Sequence, residues 1–341
     1  MLQTKIFGCK TNKFYAEKWL ASWELDGLSG IFVVSCVVTD QAKSRWVKFV
    51  TKHAEGIQDE NDRIYLTGCG TIHDGKLDPE FWDKYPQLRP YEDHIIPLWQ
   101  DPHSVSWPRK KLKNQPNLKE KLSQLNQKRW LYTRKHIVIQ TGCDTFCTFC
   151  ATIHARWRHK NRSAEDIIAE IQQYEQSGGK EIVITGINLW AWWADSTIKL
   201  DQSRFPELLE MILKQTSIPR IRISSTWVEF VSEKLLDLYA HERINPHIHL
   251  SIQSASDEVL RRMNRKYDRS TLLEVLEKIR NIKRDDGVQL SIWADMIVGF
   301  PWETPEDHRQ SIDLIRDYDI NKLHAFPFSA HVSAHSVPAA K

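Results

Sequence analysis

The chain has 341 residues, of which 41% are hydrophobic and 27% are charged, as in an ordinary soluble globular protein. This length is sufficient for two domains. The net charge is only +3 at pH 7, so charge alone does not indicate a nucleic-acid-binding protein.

Two further classes are excluded by the pattern of apolar residues and cysteines. The amino terminus has no apolar run of signal-peptide length, and nowhere do about 18 apolar residues follow one another. We therefore expect a cytoplasmic protein with no membrane association. Six cysteines without a secretory signal indicate reduced thiols used in metal or redox chemistry, and not a disulfide framework.

The amino-terminal third alternates predicted strands and helices. The apolar strands TKIFG, IFVVS and RIYLTG end directly before Cys9, Cys36 and Cys69, and helices are predicted over residues 14–25 and 40–53. This alternation predicts an α/β domain with a doubly wound parallel sheet. We place that domain at residues 1–105.

The three cysteines of this domain occupy equivalent positions at strand ends. In parallel sheets, ligands bind beyond the carboxyl ends of the strands, where three thiols could converge on a metal cluster. Alternatively, each cysteine is a small buried apolar residue, as free cysteines usually are. Recurrence at the same topological position favours the cluster.

A basic segment separates the two halves of the chain. Prolines break the helical pattern between residues 79 and 100, and we place the domain boundary after them. From Arg109 to Lys135, ten lysines and arginines face the single acid Glu120. This segment could attract phosphates, but a solvated linker over residues 106–134 explains it equally well.

The second half contains six strand–helix units. They predict a partial (β/α)6 barrel over residues 135–341, with functional loops at the carboxyl ends of its strands. Ser163 and Thr304 have the pattern of helix amino-terminal caps. The predicted strands are 136–140, 181–185, 220–224, 247–253, 289–300 and 322–328, and the predicted helices include 164–176, 231–240, 270–282 and 304–319.

The first barrel strand leads directly into Cys143, Cys147 and Cys150 in a C-x3-C-x2-C spacing. Thiolates prefer soft metals and iron–sulfur clusters, and three ligands on one loop leave one coordination position open for chemistry. His154 offers an alternative, because it could complete a structural Cys3His zinc site. The position of the loop at the functional face of the barrel favours the open site.

Motifs lie along essentially the whole chain, namely GCKTN, SCVVT, TGCG and TGCDTFCTFC, followed by EIVITGIN, RIRISS, HIHLSIQSASDEVLRRMNR, ADMIVGFP and KLHAFPFS. Together they resemble the motifs of the radical S-adenosylmethionine (SAM) enzymes and, among them, the methylthiotransferases. The first three resemble the amino-terminal cluster domain of that family, TGCDTFCTFC resembles the radical SAM signature, and the last five resemble its later strand motifs. The six cysteines would then serve two clusters.

This resemblance implies the cofactors and their chemistry. Cys143, Cys147 and Cys150 would hold a 4Fe–4S cluster that binds SAM and cleaves it to a 5′-deoxyadenosyl radical. Cys9, Cys36 and Cys69 would hold an auxiliary 4Fe–4S cluster that carries or donates the sulfur. No catalytic acid–base pair is then needed, since the cofactors carry the chemistry. The SAM-binding residues implied are Gly186, Ser224, Ser225, Gln253 and Gly299.

The resemblance also implies a substrate. GCKTN is most similar to the branch that adds a methylthio group to C2 of N6-threonylcarbamoyladenosine 3′ of the tRNA anticodon. The expected partners are the anticodon stem-loop and an electron donor of the flavodoxin or ferredoxin type. Arg156, Arg158, His159 and Arg162, beside the cluster loop, could approach the phosphate backbone.

Three alternatives remain open at this point. They are the isopentenyladenosine branch of the same family, another two-cluster radical SAM enzyme, and a non-enzymatic zinc module that binds RNA. The chain ends at Lys341, where the family continues into a small β-barrel thought to grip RNA, and its closing segment SAHVSAHSVPAA is longer than usual.

Tryptophan is unusually frequent, with 14 residues beside only 13 glycines. Stacking of aromatic side chains on RNA bases would explain these tryptophans. We favour a different hypothesis, in which the source reads the UGA codon as glycine and Trp192, where the family has an aromatic residue, is a true tryptophan. Tryptophan stands at five positions where the family motifs have glycine, namely Trp157, Trp190, Trp193, Trp293 and Trp302.

Overall fold

The computed structural model describes residues 2–22, 25, 27–101, 133–156, 159–193 and 203–330. Most of the predicted basic segment, Trp157, Arg158 and nearly all of the closing segment lie outside the described residues. The chain divides into two compact units, one formed by residues 1–136 with 152–157 and the other by residues 137–151 with 158–341.

The amino-terminal unit alternates strands and helices, as the sequence predicts. Its strands are β1 (Gln3–Ile6), β2 (Gly30–Ser35), β3 (Arg63–Gly68), β4 (Ile72–His73), β5 (Lys76–Leu77) and β6 (Ile95–Pro97), and its helices are α1 (Lys10–Ala21), α2 (Asp40–Glu55), α3 (Phe81–Lys84) and α4 (Thr152–Arg156).

Strands β1, β2, β3 and β6 form a parallel sheet in that order, with helices on both faces. Trp19 of α1 packs near Phe32 on one face, and Trp46 of α2 packs with Val33 on the other. Successive side chains of β2 point to opposite faces, so its continuous apolar run is buried on both sides. The strand order follows the chain, and the reversal that defines a doubly wound sheet is absent from the described residues.

Strand β6 lies in the segment where prolines obscure the sequence pattern. It pairs with β3 and forms the edge of the sheet, ending at Pro97. Proline lacks the N–H that a central strand donates to its neighbour, but an edge strand tolerates it. The prolines around β6 therefore explain why this strand was not predicted from the sequence.

The second unit contains the barrel strands and the helices between them. Its strands are β7 (Lys135–Thr141), which begins in the first unit, β8 (Lys160–Asn161), β9 (Glu181–Gly186), β10 (Arg220–Ile223), β11 (His247–Gln253), β12 (Ser291–Val298) and β13 (Lys322–Pro327). Its helices are α5 (Ala164–Gln176), α6 (Phe205–Gln215), α7 (Glu233–Leu238), α8 (Asp257–Arg262), α9 (Arg269–Arg280) and α10 (Pro305–Asp317).

These strands follow one another around a partial barrel. One sheet has the order β10-β9-β7-β8 and another has the order β11-β12-β13. Backbone hydrogen bonds join the two sheets between the segment that follows β10 and strand β11. Thr226 N donates to His249 O at 2.8 Å, and Ser251 N donates to Thr226 O at 2.9 Å. The six predicted barrel strands are present within two residues of their expected bounds, and Ser163 and Thr304 cap α5 and α10.

Among the described residues, no helix combines the length and the apolar character needed to cross a bilayer.

Candidate functional site

Three predicted cysteines meet at the carboxyl edge of the amino-terminal sheet. Cys9 immediately precedes α1, Cys36 follows β2 and Cys69 follows β3. Burial and the neighbouring thiols Cys69 and Cys9 raise the pKa of Cys36 to about 12. Thiols influence one another in this way only at short range. We call this group of three residues the amino-terminal thiol site.

Asn12 organises the strand ends around this site. Its Nδ2 donates to Ser35 O at 2.7 Å and to Phe7 O at 3.1 Å, which ties the ends of β1 and β2 together. Its Oδ1 accepts a hydrogen bond from Arg156 Nη2 at 2.9 Å. Asn12 lies within the GCKTN motif but was not predicted from the sequence as a site residue.

Arg156 also contacts the thiols directly. Its Nη2 lies 3.2 Å from Cys69 Sγ, and its side chain is 5% exposed. Its Nε and Nη1 atoms are buried and have no hydrogen-bond partner among the described residues. A buried guanidinium with unused donors is costly unless an anion faces it. The site therefore fits a metal centre whose cysteine ligands are deprotonated and give the assembly a net negative charge.

The chemistry of the donors tests the kind of metal centre. Cys9, Cys36 and Cys69 offer three free thiols, and thiolates are the ligands of iron–sulfur clusters. The residues present therefore fit a 4Fe–4S cluster.

The second trio lies on the loop after β7, which we call the barrel cysteine loop (residues 142–150). Cys143 and Cys147 are buried, and Cys150 is partly exposed. Burial raises the pKa of Cys143 to about 11 and that of Cys147 to about 12. Because metals bind the thiolate, a positive group must offset this effect when the loop is loaded.

Helix α8 and the residues that follow it hold the barrel cysteine loop in place. Thr148 N donates to Met263 O at 3.2 Å, and Thr148 Oγ1 donates to Arg262 O at 2.9 Å. Asn264 Nδ2 donates to Phe146 O at 3.0 Å. The segment RRMNR, noticed in the sequence only as part of a family motif, therefore shapes the loop that carries the cysteines.

Arg265 supplies the positive charge beside this loop. Its Nη1 lies 3.7 Å from Cys147 Sγ, and its Nη2 lies 3.3 Å from Glu229 Oε2 and 3.1 Å from Ser251 O. Arg265 lowers the pKa of Cys147 against the effect of burial. Sequence reasoning missed both Arg265 and Glu229, because no spacing rule links residues 147, 229 and 265.

The five residues implied for SAM binding lie at the carboxyl ends of four barrel strands. Gly186 ends β9, Ser224 and Ser225 follow β10, Gln253 ends β11 and Gly299 follows β12. Ser224 is buried and its N donates to Ile184 O at 2.9 Å, whereas the N of exposed Gly299 donates to Glu303 Oε2 at 2.6 Å. All five therefore share the strand-end face from which the barrel cysteine loop also leaves.

Gln140 links the cysteine loop to the neighbouring strand end. Its Oε1 accepts hydrogen bonds from Ile187 N at 3.1 Å and Asn188 N at 3.0 Å. Its Nε2 donates to Gly142 O at 2.5 Å. This side chain was missed as well, although a polar residue at the end of an otherwise apolar strand is a recognisable signal.

The predicted phosphate-facing role of the residues after the loop is wrong for Arg156. Its side chain is buried in the amino-terminal unit, so it cannot approach a phosphate from solvent. Arg162 pairs with Glu170 at 2.8 Å, and His159 Nδ1 lies 2.7 Å from Asp144 Oδ2. These two residues have carboxylate partners within the barrel unit. His154, the fourth ligand of the zinc alternative, belongs to the amino-terminal unit.

A three-cysteine loop at the carboxyl end of the first strand of a partial α/β barrel defines a class of enzyme. The family model described as "Radical SAM superfamily" matches residues 137–315. A solved radical SAM methyltransferase, TsrM from Kitasatospora setae, aligns with 96% of this chain and 74% of its own, with a TM-score of 0.59 and 12% sequence identity. At this identity, the likeness concerns the fold alone.

Sequence relatives narrow the class. The threonylcarbamoyladenosine tRNA methylthiotransferase MtaB of Thermotoga maritima is 32% identical over 96% of this chain and 74% of its own length. The protein of the same name from Rickettsia prowazekii is 28% identical over 95% and 74%. A tRNA-2-methylthio-N(6)-dimethylallyladenosine synthase of Desulfitobacterium hafniense is 28% identical over 96% and 74%. The chain therefore belongs to the radical SAM superfamily and, within it, to the methylthiotransferases.

Proposed function

We propose that this chain adds a methylthio group to C2 of N6-threonylcarbamoyladenosine 3′ of the anticodon in tRNA. The observation that carries this substrate is the match to the Thermotoga maritima enzyme of that name over nearly the whole chain. The GCKTN motif around Cys9 supports the same branch.

We further propose that each cysteine trio holds one 4Fe–4S cluster. When bound, the two clusters and SAM supply the radical and the sulfur for the reaction. The protein's own groups bind and orient these cofactors. Asn12 and the strand ends set the amino-terminal thiol site, and Gln140 and Asn264 fix the barrel cysteine loop.

Within the barrel unit, the strand ends provide polar groups for SAM. We assign this role to Gly186, Ser224, Ser225, Gln253 and Gly299, which share one face with the cysteine loop. Arg265 offsets the negative charge that a thiolate at Cys147 would bring into a buried site. An electron donor of the flavodoxin or ferredoxin type would reduce the cluster on this loop.

The substrate is tested with anaerobically reconstituted protein, SAM, a reductant and tRNA from a strain that lacks methylthiolation. Nucleosides are then analysed by mass spectrometry. We expect threonylcarbamoyladenosine to gain the mass of a methylthio group in place of hydrogen. If SAM is cleaved but neither threonylcarbamoyladenosine nor dimethylallyladenosine gains this mass, the proposed reaction is wrong.

A second candidate substrate is dimethylallyladenosine in tRNA. The Desulfitobacterium hafniense relative named for that nucleoside aligns with this chain as completely as the Thermotoga maritima enzyme does. The same tRNA pool contains both adenosines, so the mass spectrum distinguishes the two substrates directly. A methylthio product found only on dimethylallyladenosine would replace the first assignment.

The roles of the two trios are tested by single alanine variants. Cys147→Ala should reduce SAM cleavage to background, because a missing thiolate leaves the SAM-binding cluster under-ligated. Cys36→Ala should retain SAM cleavage but form no methylthio product. Each variant is the control for the other. Full methylthio transfer by Cys36→Ala would exclude two clusters with separate roles.

A further inference from the structure

Arg156 is a buried arginine whose charge has no carboxylate partner among the described residues. Its guanidinium lies 5.8 Å from the ring centre of Tyr15, 2.9 Å from Asn12 Oδ1 and 3.2 Å from Cys69 Sγ. All of these groups belong to the amino-terminal unit. No carboxylate among the described residues forms an ion pair or a hydrogen bond with it.

Arg265 is a second buried arginine beside a cysteine sulfur, and its charge has a carboxylate partner. It also contacts a cysteine sulfur from a buried position, but its charge is balanced by Glu229, whose side chain is 4% exposed. Among the described residues, Arg156 has the Cys69 sulfur and the uncharged Asn12 amide in the corresponding place, and its Nε and Nη1 atoms lack acceptors. The balancing negative charge would come from the cysteine thiolates, because the thiols lose their protons when they bind a metal centre.

We propose that Arg156 is a positioning residue that balances the charge of the auxiliary cluster and raises its reduction potential. This inference rests on the proposed function, in which Cys9, Cys36 and Cys69 hold that cluster. Reduction adds one electron and makes the cluster more negative. A fixed positive charge and a hydrogen bond to a ligand sulfur stabilise the reduced form more than the oxidised form.

The proposal is specific to the positive charge, so two substitutions separate charge from shape. Arg156→Met removes the charge and the donors but retains a long side chain. Arg156→Lys retains a charge and a donor. Arg89→Met is the matched control, because Arg89 belongs to the same unit and is exposed, with its charge paired to Asp83 at 2.8 Å.

The measurement uses the full chain in which Cys143, Cys147 and Cys150 are replaced by alanine, so that only the auxiliary cluster is titrated. After anaerobic reconstitution, the potential is followed by electron paramagnetic resonance in a dye-mediated redox titration. Arg156→Met should lower the equilibrium constant for reduction at least tenfold, a shift of about 59 mV to more negative potential. Arg156→Lys should shift it much less, and Arg89→Met should leave it unchanged.

Iron content gives a second measure that does not depend on the potential. Loss of the cluster from Arg156→Met, with retention in Arg156→Lys, also supports the proposal, because charge then determines whether the cluster is held. An unchanged potential in Arg156→Met would overturn it. Loss of the cluster in both variants would overturn it too, since shape and not charge would be decisive.

The parent protein separates this inference from the proposed function. If the three-alanine parent with Arg156 intact binds no cluster, the two-cluster assignment itself fails. If the parent binds about four irons per chain and the Arg156 variants behave as the Arg89 control does, only the role of Arg156 is wrong.

Discussion

Trp193 and Trp302 have backbone φ angles of +59° and +63°. This left-handed region costs a residue with a side chain about 1–2 kcal/mol, whereas glycine enters it freely. Both indoles are also exposed, at 48% and 60%. Two of the five tryptophans at family glycine positions thus adopt a conformation that glycine adopts without strain.

The remaining three positions do not share this signature. Trp190 is buried and stacks on Phe230 with ring centres 5.7 Å apart, and Trp293 packs against His247 on β11. Trp157 lies outside the described residues. For these three, the glycine hypothesis depends only on the family motifs.

We predict that the coding DNA has TGA at positions 157, 190, 193, 293 and 302, and TGG at Trp192. The protein offers a physical check as well. Trp302→Gly should raise the free energy of unfolding by up to about 1 kcal/mol, because the backbone strain it relieves exceeds the entropy that glycine adds to the unfolded chain. Denaturant unfolding measures this change.

Trp192 is the matched control for that substitution. It is 4% exposed, and its Nε1 donates to Arg162 O at 2.9 Å. Trp192→Gly should therefore lower the free energy of unfolding by at least about 3 kcal/mol. TGG codons at all six positions would end the hypothesis, and the glycine motifs of the SAM site would then be truly altered.

At the scale of elements, the close contact between β2 and β3 leaves no room for a side chain at position 68, directly before Cys69. Gly68 has a φ of +102°, and a Cβ placed there would lie 2.4 Å from Ser35 O in the adjacent strand. A side chain cannot fit without moving the strand. The backbone that carries Cys69 is therefore held by close packing as well as by hydrogen bonds.

We predict that Gly68→Ala lowers the free energy of unfolding by about 3 kcal/mol, the sum of conformational strain and overpacking, and reduces the iron bound at the amino-terminal thiol site. Gly27→Ala is the control in the same unit. Gly27 has a φ of +72°, but nothing lies within 4 Å of the added Cβ, so only the conformational cost of about 1 kcal/mol applies. Equal losses in the two variants would show that the strand contact does not matter.

At the scale of the whole molecule, a buried histidine makes stability depend on pH. Burial, reinforced by the charges of Lys13 and Lys10, lowers the pKa of His136 to about 4 from an ordinary value of 6.5. Between these two values, the unfolded chain binds a proton that the folded chain does not. The contribution of neutral His136 to the free energy of unfolding is therefore fully present above about pH 6.5 and is lost as the pH falls toward 4.

The expected loss from this residue is about 2 kcal/mol between pH 7.5 and pH 5. Urea unfolding at the two pH values measures it in the wild type and in His136→Asn, which should lose less stability on acidification. An identical pH dependence in the two proteins would contradict the assignment.

The sequence alone determined the order of the elements and the positions of the six cysteines. Alternating apolar runs and cap residues are local properties, so the barrel strands and helices such as Ala164–Gln176 could be predicted from neighbouring residues. The rule that ligands bind beyond parallel strand ends then placed both cysteine trios. Strand β6 was not predicted, because its proline is tolerated only in an edge strand and no local sequence pattern shows which strand forms the edge of the sheet.

Only the tertiary structure shows which arginine side chains contact the cysteine sulfurs. Arg156 reaches Cys69 and Arg265 reaches Cys147, across 87 and 118 residues of chain. The sequence placed Arg156 on a phosphate-facing surface, because local charge patterning does not reveal burial. Long-range pairing of this kind depends on how elements pack, and packing is set by the whole core and not by the spacing of residues along the chain.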